Sequence, residues 1–270
     1  MHLTQSYRDP DVVPPVIRKR YKWLEIGNAA AILNAVAPRE FADLLTVLDE
    51  FELSPNEWLV KGGNKGDIAA NLDNRFRKLG WKETRIDTEV KGYFFTDFQK
   101  RGGDYVPQTE TEVPSVYSEG FRVDNHKGRM IVDIEWNAKD GNLDRDLAAY
   151  RSWYEYGLID GAVIITKDRL PLLKLAREIW GKYQDTLPPE KRVAKLPIDL
   201  STSTVTAFDK AEIRVMRGGA GNCPVIIIAV TDTTWDGTLF TGDVADTIDV
   251  PEGTEPMTDE QFAAFLEEVE

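Results

Sequence analysis

Apolar residues along the chain alternate between helical spacing and short continuous runs typical of buried strands. Helical spacing covers PREFADLLTVLDEFE (38–52), DIAANLDNRFRKLG (67–80), LDRDLAAYRSWYEYG (143–157), RLPLLKLAREIWGKYQ (169–184) and VTAFDKAEIRVMRGG (205–219). Strands are predicted within 84–97 and at VYSEGFRV (116–123), RMIVDIEWN (129–137), GAVIITK (161–167) and CPVIIIAVT (223–231). Val/Ile-rich strands without polar alternation require cover on both faces. The pattern therefore predicts an α/β fold with a mixed β-sheet flanked by helices on both faces.

The length of 270 residues allows one large domain. We expect a single domain over 1–270, with a core at about 38–232. An acidic C-terminal extension at about 233–270 follows, because DVADTIDVPEGTEPMTDEQFAAFLEEVE contains no basic residue.

The strand 129–137 carries two carboxylates on one face, and this is unusual for a buried strand. Side chains alternate along a strand, so Asp133 and Glu135 point the same way, roughly 7 Å apart. The opposite face is apolar and consists of Met130, Val132, Ile134 and Trp136. Like charges at this spacing repel and are costly to desolvate. The acidic face therefore suggests a function.

A third acid joins this face if the two strands around NHKG (125–128) form a hairpin. Asp124 precedes Asp133 by nine positions across that turn, so pairing places it beside Asp133 and Glu135. Three carboxylates at one sheet end would suit Mg²⁺, with Mn²⁺ able to substitute. The alternative is a solvated sheet face whose surface partners are Lys127, Arg129 and Lys139.

Composition limits the remaining possibilities. Cys223 is the only cysteine and the only histidines are His2 and His126, so a metal would need oxygen ligands. A net charge of −13 argues against binding of nucleic acid, because phosphates are bound by Lys and Arg. It does so only weakly, since the net charge does not show where the basic residues lie. No apolar run reaches the length of a membrane span, and the first residues contain no signal-peptide core. We expect a cytoplasmic protein that does not bind membranes.

The motif D-x₈-[D/E]-x-E in VDNHKGRMIVDIEWN, followed by a helix and GAVIITK, resembles the PD-(D/E)XK nucleases. It is most similar to type II restriction endonucleases of the BglII and BamHI group. KGGNKGDIAANLDNRFRKLGWKE upstream, with DLSTSTVTAFDK and MRGGAGNCPVIIIAV downstream, extends the resemblance over roughly 38–232. The resemblance implies a restriction-endonuclease-like core and a Mg²⁺-dependent enzyme that cuts double-stranded DNA.

The resemblance also implies roles for individual residues. Asp124 and Asp133 match the two metal-binding acids. Glu135 stands where the superfamily has a catalytic lysine, a position that is Glu or Gln in this group, so Glu135 or a metal-bound water must activate the nucleophile. Glu83 in GWKE matches a further upstream catalytic acid, and the alternative for Glu83 is a surface residue.

Three groups of side chains are expected to contact DNA. The first two are implied by the same resemblance, and the third is inferred from its helical spacing. The groups are Lys139, Arg145 and Arg151 around the helix after the catalytic strand, the hydroxyls of Ser201, Thr202, Ser203 and Thr204, and a stripe formed by Lys210, Arg214 and Arg217. Structural alternatives remain open: Arg145 could pair with Asp144, Asp146 or Glu135, the hydroxyls could cap the helix at 205, and the stripe could be a solvated face.

The resulting hypothesis is a type II site-specific deoxyribonuclease that acts as a homodimer on a short palindromic site, because two-fold protein symmetry mirrors site symmetry. A cognate DNA methyltransferase is the expected genomic companion. One alternative is a structure-specific or repair nuclease of the same fold. Another is a non-catalytic acidic DNA mimic or interaction protein, which the net charge favours. A glycosidase is disfavoured, because its two acids flank a sugar from opposite sides.

Overall fold

The computed structural model describes residues 2–60, 67–137, 141–198, 200 and 205–242. The helices are α1 (Pro15–Arg20), α2 (Ala29–Val36), α3 (Pro38–Glu50), α4 (Pro55–Trp58), α5 (Asp67–Lys78), α6 (Asn142–Glu155), α7 (Arg169–Asp185) and α8 (Phe208–Met216). The strands are β1 (Leu3–Thr4), β2 (Tyr21–Ile26), β3 (Lys82–Arg85), β4 (Thr88–Thr96), β5 (Gln99–Arg101), β6 (Asp104–Val106), β7 (Thr109–Ser118), β8 (Arg122–Lys127), β9 (Met130–Ile134), β10 (Gly161–Lys167) and β11 (Val225–Val230).

Seven strands form the central sheet in the order β1-β2-β11-β10-β9-β8-β3. β9, β10 and β11 run parallel to one another, whereas β2 pairs antiparallel with β11 and β8 pairs antiparallel with β9. The sheet is therefore mixed, and the predicted α/β fold class is confirmed. Every residue of β9, β10 and β11 is buried, which explains why these strands read as continuous apolar runs.

Helices cover both faces of the sheet. One face packs into a large core with α3, α5 and α7, to which β9 contributes Met130, Val132 and Ile134. The other face of β9 carries Asp133 and is covered by α6, whose Tyr150 contacts it. Helix α6 in turn packs against α8 and β10. The acids of β9 thus lie under a helix and away from the main apolar core.

A separate compact unit, Thr84–Arg122, is inserted between β3 and β8. It is built from two antiparallel pairs, β4 with β7 and β5 with β6. Large apolar side chains on it are exposed, among them Tyr93, Phe94, Phe95 and Phe98. The remaining described residues, up to Glu83 and from Val123 onward, form the other unit. The expectation of one domain over 1–270 stays a prediction.

Two local predictions about the hairpin were wrong. VYSEGFRV is not one strand: its first three residues end β7, which pairs with β4, and only Arg122 and Val123 belong to β8. NHKG is not the turn, because Asn125, His126 and Lys127 all pair with β9. Lys127 lies opposite Met130, so the turn is Gly128–Arg129, with Gly128 at a φ of +55° that favours glycine. Among the described residues, no helix is long and apolar enough to cross a membrane.

Candidate active site

The β8–β9 hairpin brings Asp124 and Asp133 into direct contact. The backbone N–H of Asp124 donates to Asp133 Oδ1 at 2.5 Å, and the N–H of Ile134 donates to Asp124 Oδ2 at 3.3 Å. The register that pairs Asn125 with Val132 produces this arrangement, because it sets Asp124 opposite Asp133. The juxtaposition of these two acids predicted from their nine-residue spacing is therefore present.

The helices beneath the sheet hold β8 in place. Lys127 Nζ donates to Asp43 Oδ2 on α3 at 2.7 Å and to the Leu79 carbonyl at 2.9 Å. Asn125 Nδ2 donates to Asp73 Oδ1 on α5 at 2.7 Å, and both side chains are buried. Buried polar contacts of this kind are geometrically strict. They fix the strand that presents Asp124.

The neighbouring strand β10 holds Glu135, which directly follows β9. The Glu135 N–H donates to the Ile165 carbonyl at 2.8 Å, and Thr166 Oγ1 donates to the Glu135 carbonyl at 2.8 Å. Just beyond, the fully buried Lys167 donates from Nζ to the Trp136 carbonyl. The backbone around Glu135 is thus fixed on the parallel strand.

Helix α6 adds two residues that the sequence analysis did not select, Asp146 and Tyr150. They lie one turn apart, and both are buried against the acids. The Tyr150 hydroxyl donates to Asp133 Oδ2 at 2.5 Å, and Asp146 lies within hydrogen-bonding reach of Glu135. A signal was available: Asp146 shares the helical stripe of the buried Leu143 and Leu147, where an acid is out of place.

Burial and mutual repulsion dominate the electrostatics of this cluster. Burial, followed by the charge of Asp124, raises the pKa of Asp133 well above its usual range, although the Tyr150 hydrogen bond opposes the shift. Burial, followed by the charge of Asp146, raises the pKa of Glu135 to about 9. Burial also raises the pKa of Asp146, against the lowering effect of Arg145. The cluster is therefore short of positive charge.

The donor set fits a hard divalent cation. Glu135 Oε2 and Asp146 Oδ2 are buried carboxylate oxygens with no hydrogen-bond partner. No group of three or more His, Cys, Asp or Glu in the described part of the chain forms a ready-made cage, so the three-carboxylate cage expected from the sequence is not preformed. Mg²⁺ commonly uses only one or two protein carboxylates, with water and substrate phosphate completing its coordination. The acids of β8, β9 and α6 satisfy that requirement.

We expect Tyr150→Phe to destabilise the protein by about 1–3 kcal/mol, because it removes the buried hydroxyl that donates to Asp133. Urea denaturation at neutral pH measures the change. Tyr156→Phe is the matched control, since Tyr156 is exposed at the end of the same helix. Equal stability of the two variants would contradict a role for Tyr150 in holding Asp133.

Three of the basic residues predicted to contact DNA are engaged in ion pairs. Arg145 binds Asp146 at 3.0 Å, Arg151 binds Glu155 at 2.8 Å, and Arg214 of α8 binds Asp144 of α6 at 3.0 Å. For Arg145, the predicted structural alternative of pairing with Asp146 is thus present. Arg214, whose alternative was a solvated face, is instead largely covered and paired with α6. Of the rest of the stripe, Lys210 is half-buried and Arg217 is exposed. Their contacts with DNA stay predictions.

The remaining predicted site residues lie on β3 or outside the described residues. Glu83 is exposed on β3, the edge strand next to β8, and its catalytic role stays a prediction. Lys139 and the hydroxyl cluster 201–204 fall outside the described residues. His126 is half-buried, with its ring edge-to-face on Trp153 at 5.6 Å.

Comparison with protein families gives a match over most of the chain. A family described as restriction endonuclease BglII/BglIII matches residues 21–230, well over half of the chain. The matched region contains the hairpin with Asp124, Asp133 and Glu135, together with the covering helix α6. A comparison with individual curated proteins found no match.

Proposed function

Because the chain belongs to the BglII/BglIII restriction endonuclease family, we propose that it is a Mg²⁺-dependent enzyme that hydrolyses duplex DNA at a short palindromic site. Family membership makes it a site-specific DNA nuclease. The dependence on Mg²⁺, the palindromic symmetry of the DNA site and the identity of the catalytic residues are our proposals. The wider assignments to the BamHI group and to the PD-(D/E)XK superfamily remain predictions.

One observation carries the proposal: a buried cluster of carboxylates with too little positive charge. Asp133, Glu135 and Asp146 are each at most 6% exposed, and Asp124 contacts Asp133. A cluster of this kind opposes folding unless a cation or protons neutralise it. Buried acids whose pKa values are shifted by burial and by neighbouring charges are typical of catalytic sites.

We assign distinct tasks to the acids. Asp124 and Asp133 hold the cation, which when bound supplies positive charge to the attacked phosphate. Glu135 positions the attacking water and accepts its proton at Oε2, the oxygen that has no hydrogen-bond partner. The water oxygen bonds to phosphorus, one P–O ester bond breaks, and the departing oxygen takes up a proton. Tyr150 keeps the Asp133 carboxylate in place through its hydroxyl.

The partners follow from the reaction. A palindromic duplex presents the same bases twice, so a homodimer with one active site per strand is the simplest arrangement. A cognate methyltransferase would protect the host's own sites. Lys139, Arg145, Arg151, the hydroxyls of Ser201, Thr202, Ser203 and Thr204, and the stripe of Lys210, Arg214 and Arg217 remain the candidate DNA contacts.

The direct test is incubation of the purified protein with unmethylated phage and plasmid DNA in Mg²⁺, resolved on a gel. Discrete fragments that disappear with EDTA and with Asp124→Asn would support the proposal, and sequencing their ends would show whether the site is palindromic. A smear would favour a nuclease without site preference. Intact DNA on several substrates would overturn the proposal and favour a binding protein.

A further inference from the structure

The strand pair β4–β7 of the inserted unit has two faces that differ in charge. Residues opposite each other in an antiparallel pair point the same way, so the β4–β7 register assigns each residue to a face. The first, the uncharged face, carries Val90, Phe94, Val113 and Val116, and otherwise only threonine, serine and glycine. The second, the acidic face, carries Glu89, Glu110 and Glu112, with three aromatic residues and Lys91 as its one basic residue.

The uncharged face lies open to solvent. Val90, Phe94 and Val116 are 58%, 63% and 65% exposed. A contiguous exposed apolar surface of this kind is typical of an interaction site. A two-stranded pair is also only marginally stable in water by itself, and covering one of its faces stabilises it. The strand pair therefore gains stability from a partner that covers the uncharged face.

Neither face of the strand pair suits DNA. Phosphates are bound by Lys and Arg, and the uncharged face has neither. On the acidic face the three glutamates outnumber Lys91, which itself lies 4.0 Å from Glu89. This face therefore repels a phosphate backbone. The chemistry of the uncharged face fits another apolar protein surface.

A second copy of the chain presents such a surface. The uncharged face is complementary to itself, because no charge has to be matched across a two-fold axis. Two sheets of this kind pack face to face about 10 Å apart, with interdigitating side chains. The two acidic faces then point outward into water, where their like charge opposes the stacking of further copies. The arrangement therefore closes at two chains.

The size of the uncharged face limits what this contact contributes. Strand β4 has nine residues, so it is about 30 Å long, and two paired strands are about 10 Å wide. Two such faces together bury about 600 Å², which is about half of what the smallest stable interfaces bury. The contact therefore strengthens a dimer that other surfaces also hold, and does not form one alone.

We propose that the uncharged face packs against the same face of a second chain and forms part of the homodimer interface. The inference rests on the proposed function, which requires a homodimer, and deepens it by naming a surface through which the partner binds. Because the contact is symmetric, a charge introduced on this face meets an equal charge from the partner.

Sedimentation equilibrium without DNA or Mg²⁺ measures the dissociation constant of the dimer. Phe94→Lys and Val116→Lys, one on each strand, should each raise this constant tenfold or more. Phe95→Lys is the matched control and should leave the constant unchanged, because Phe95 is the next residue on β4, is 47% exposed and lies on the acidic face. Circular dichroism establishes that each variant is folded.

A dissociation constant equal to that of the wild type in both Phe94→Lys and Val116→Lys would overturn the inference. Equal weakening of the dimer by Phe95→Lys would overturn it too, because the effect would then not depend on the face. A wild type that stays monomeric at micromolar concentration would do the same. Mg²⁺-dependent cleavage at discrete sites by the wild type in any of these cases would leave the proposed nuclease function intact.

Discussion

Asp133→Asn is expected to lower the rate of DNA cleavage by about a thousandfold or more, because it removes a charge that holds the cation. The side chain keeps its size and can still accept the Asp124 N–H, while its amide can donate to the Tyr150 oxygen. Folding should therefore survive. Single-turnover cleavage in saturating Mg²⁺ measures the loss, and thermal unfolding in EDTA measures stability.

The stability measurement gives this prediction a second readout. Burial and the charge of Asp124 both oppose ionisation of Asp133, so a neutral asparagine should raise the unfolding temperature in EDTA. Asp144→Asn, at an exposed position on α6, is the control and should cleave DNA at close to the wild-type rate. Cleavage by Asp133→Asn within tenfold of the wild type would remove Asp133 from the active site.

Sequence periodicity predicted the parts of the fold that depend on local burial. The strands at 161–167 and 223–231 are Val/Ile-rich because both of their faces are covered, and such runs are recognisable without a structure. The sequence also predicted a hairpin that brings Asp124 beside Asp133, but it placed the turn at NHKG, and the two acids lie opposite each other only when the turn is at Gly128–Arg129. The apolar pattern does not distinguish the two turns, because a shift by an even number of residues keeps every side chain on the same face of the strand.

Long-range packing accounts for what the sequence did not predict. Strand β2 lies inside the sheet against β11, about two hundred residues later in the chain, and nothing local to YKWLEI indicates that pairing. VYSEGFRV was divided wrongly because β7 pairs with β4 across the inserted unit. Asp146 and Tyr150 reach the acids only through the docking of α6 on β9. Spacing along a strand carries no information about such contacts.

In EDTA, the free energy of unfolding is expected to fall as pH rises from 5 to 9. Burial raises the pKa of Glu135 from 4.5 to about 9, so the folded state favours the neutral form. The resulting stabilisation is fully present below the unfolded pKa and is lost as pH rises through the folded pKa. A shift of this size sets a ceiling of about 6 kcal/mol. Part of the shift in the pKa of Glu135 comes from the charge of Asp146, which itself titrates, so we expect the free energy of unfolding to fall by only about 2–4 kcal/mol.

Urea denaturation at several pH values in EDTA, with and without Glu135→Gln, isolates this contribution. Glutamine cannot ionise, so the variant should be more stable than the wild type at pH 9 and show a much flatter profile between pH 5 and 9. Adding Mg²⁺ at pH 9 should restabilise the wild type, because a bound cation favours the ionised carboxylates. Glu135→Gln should gain less from Mg²⁺, since it lacks one of those carboxylates. Parallel profiles of unfolding free energy against pH for the two proteins would show that the pKa of Glu135 is not the one raised by folding.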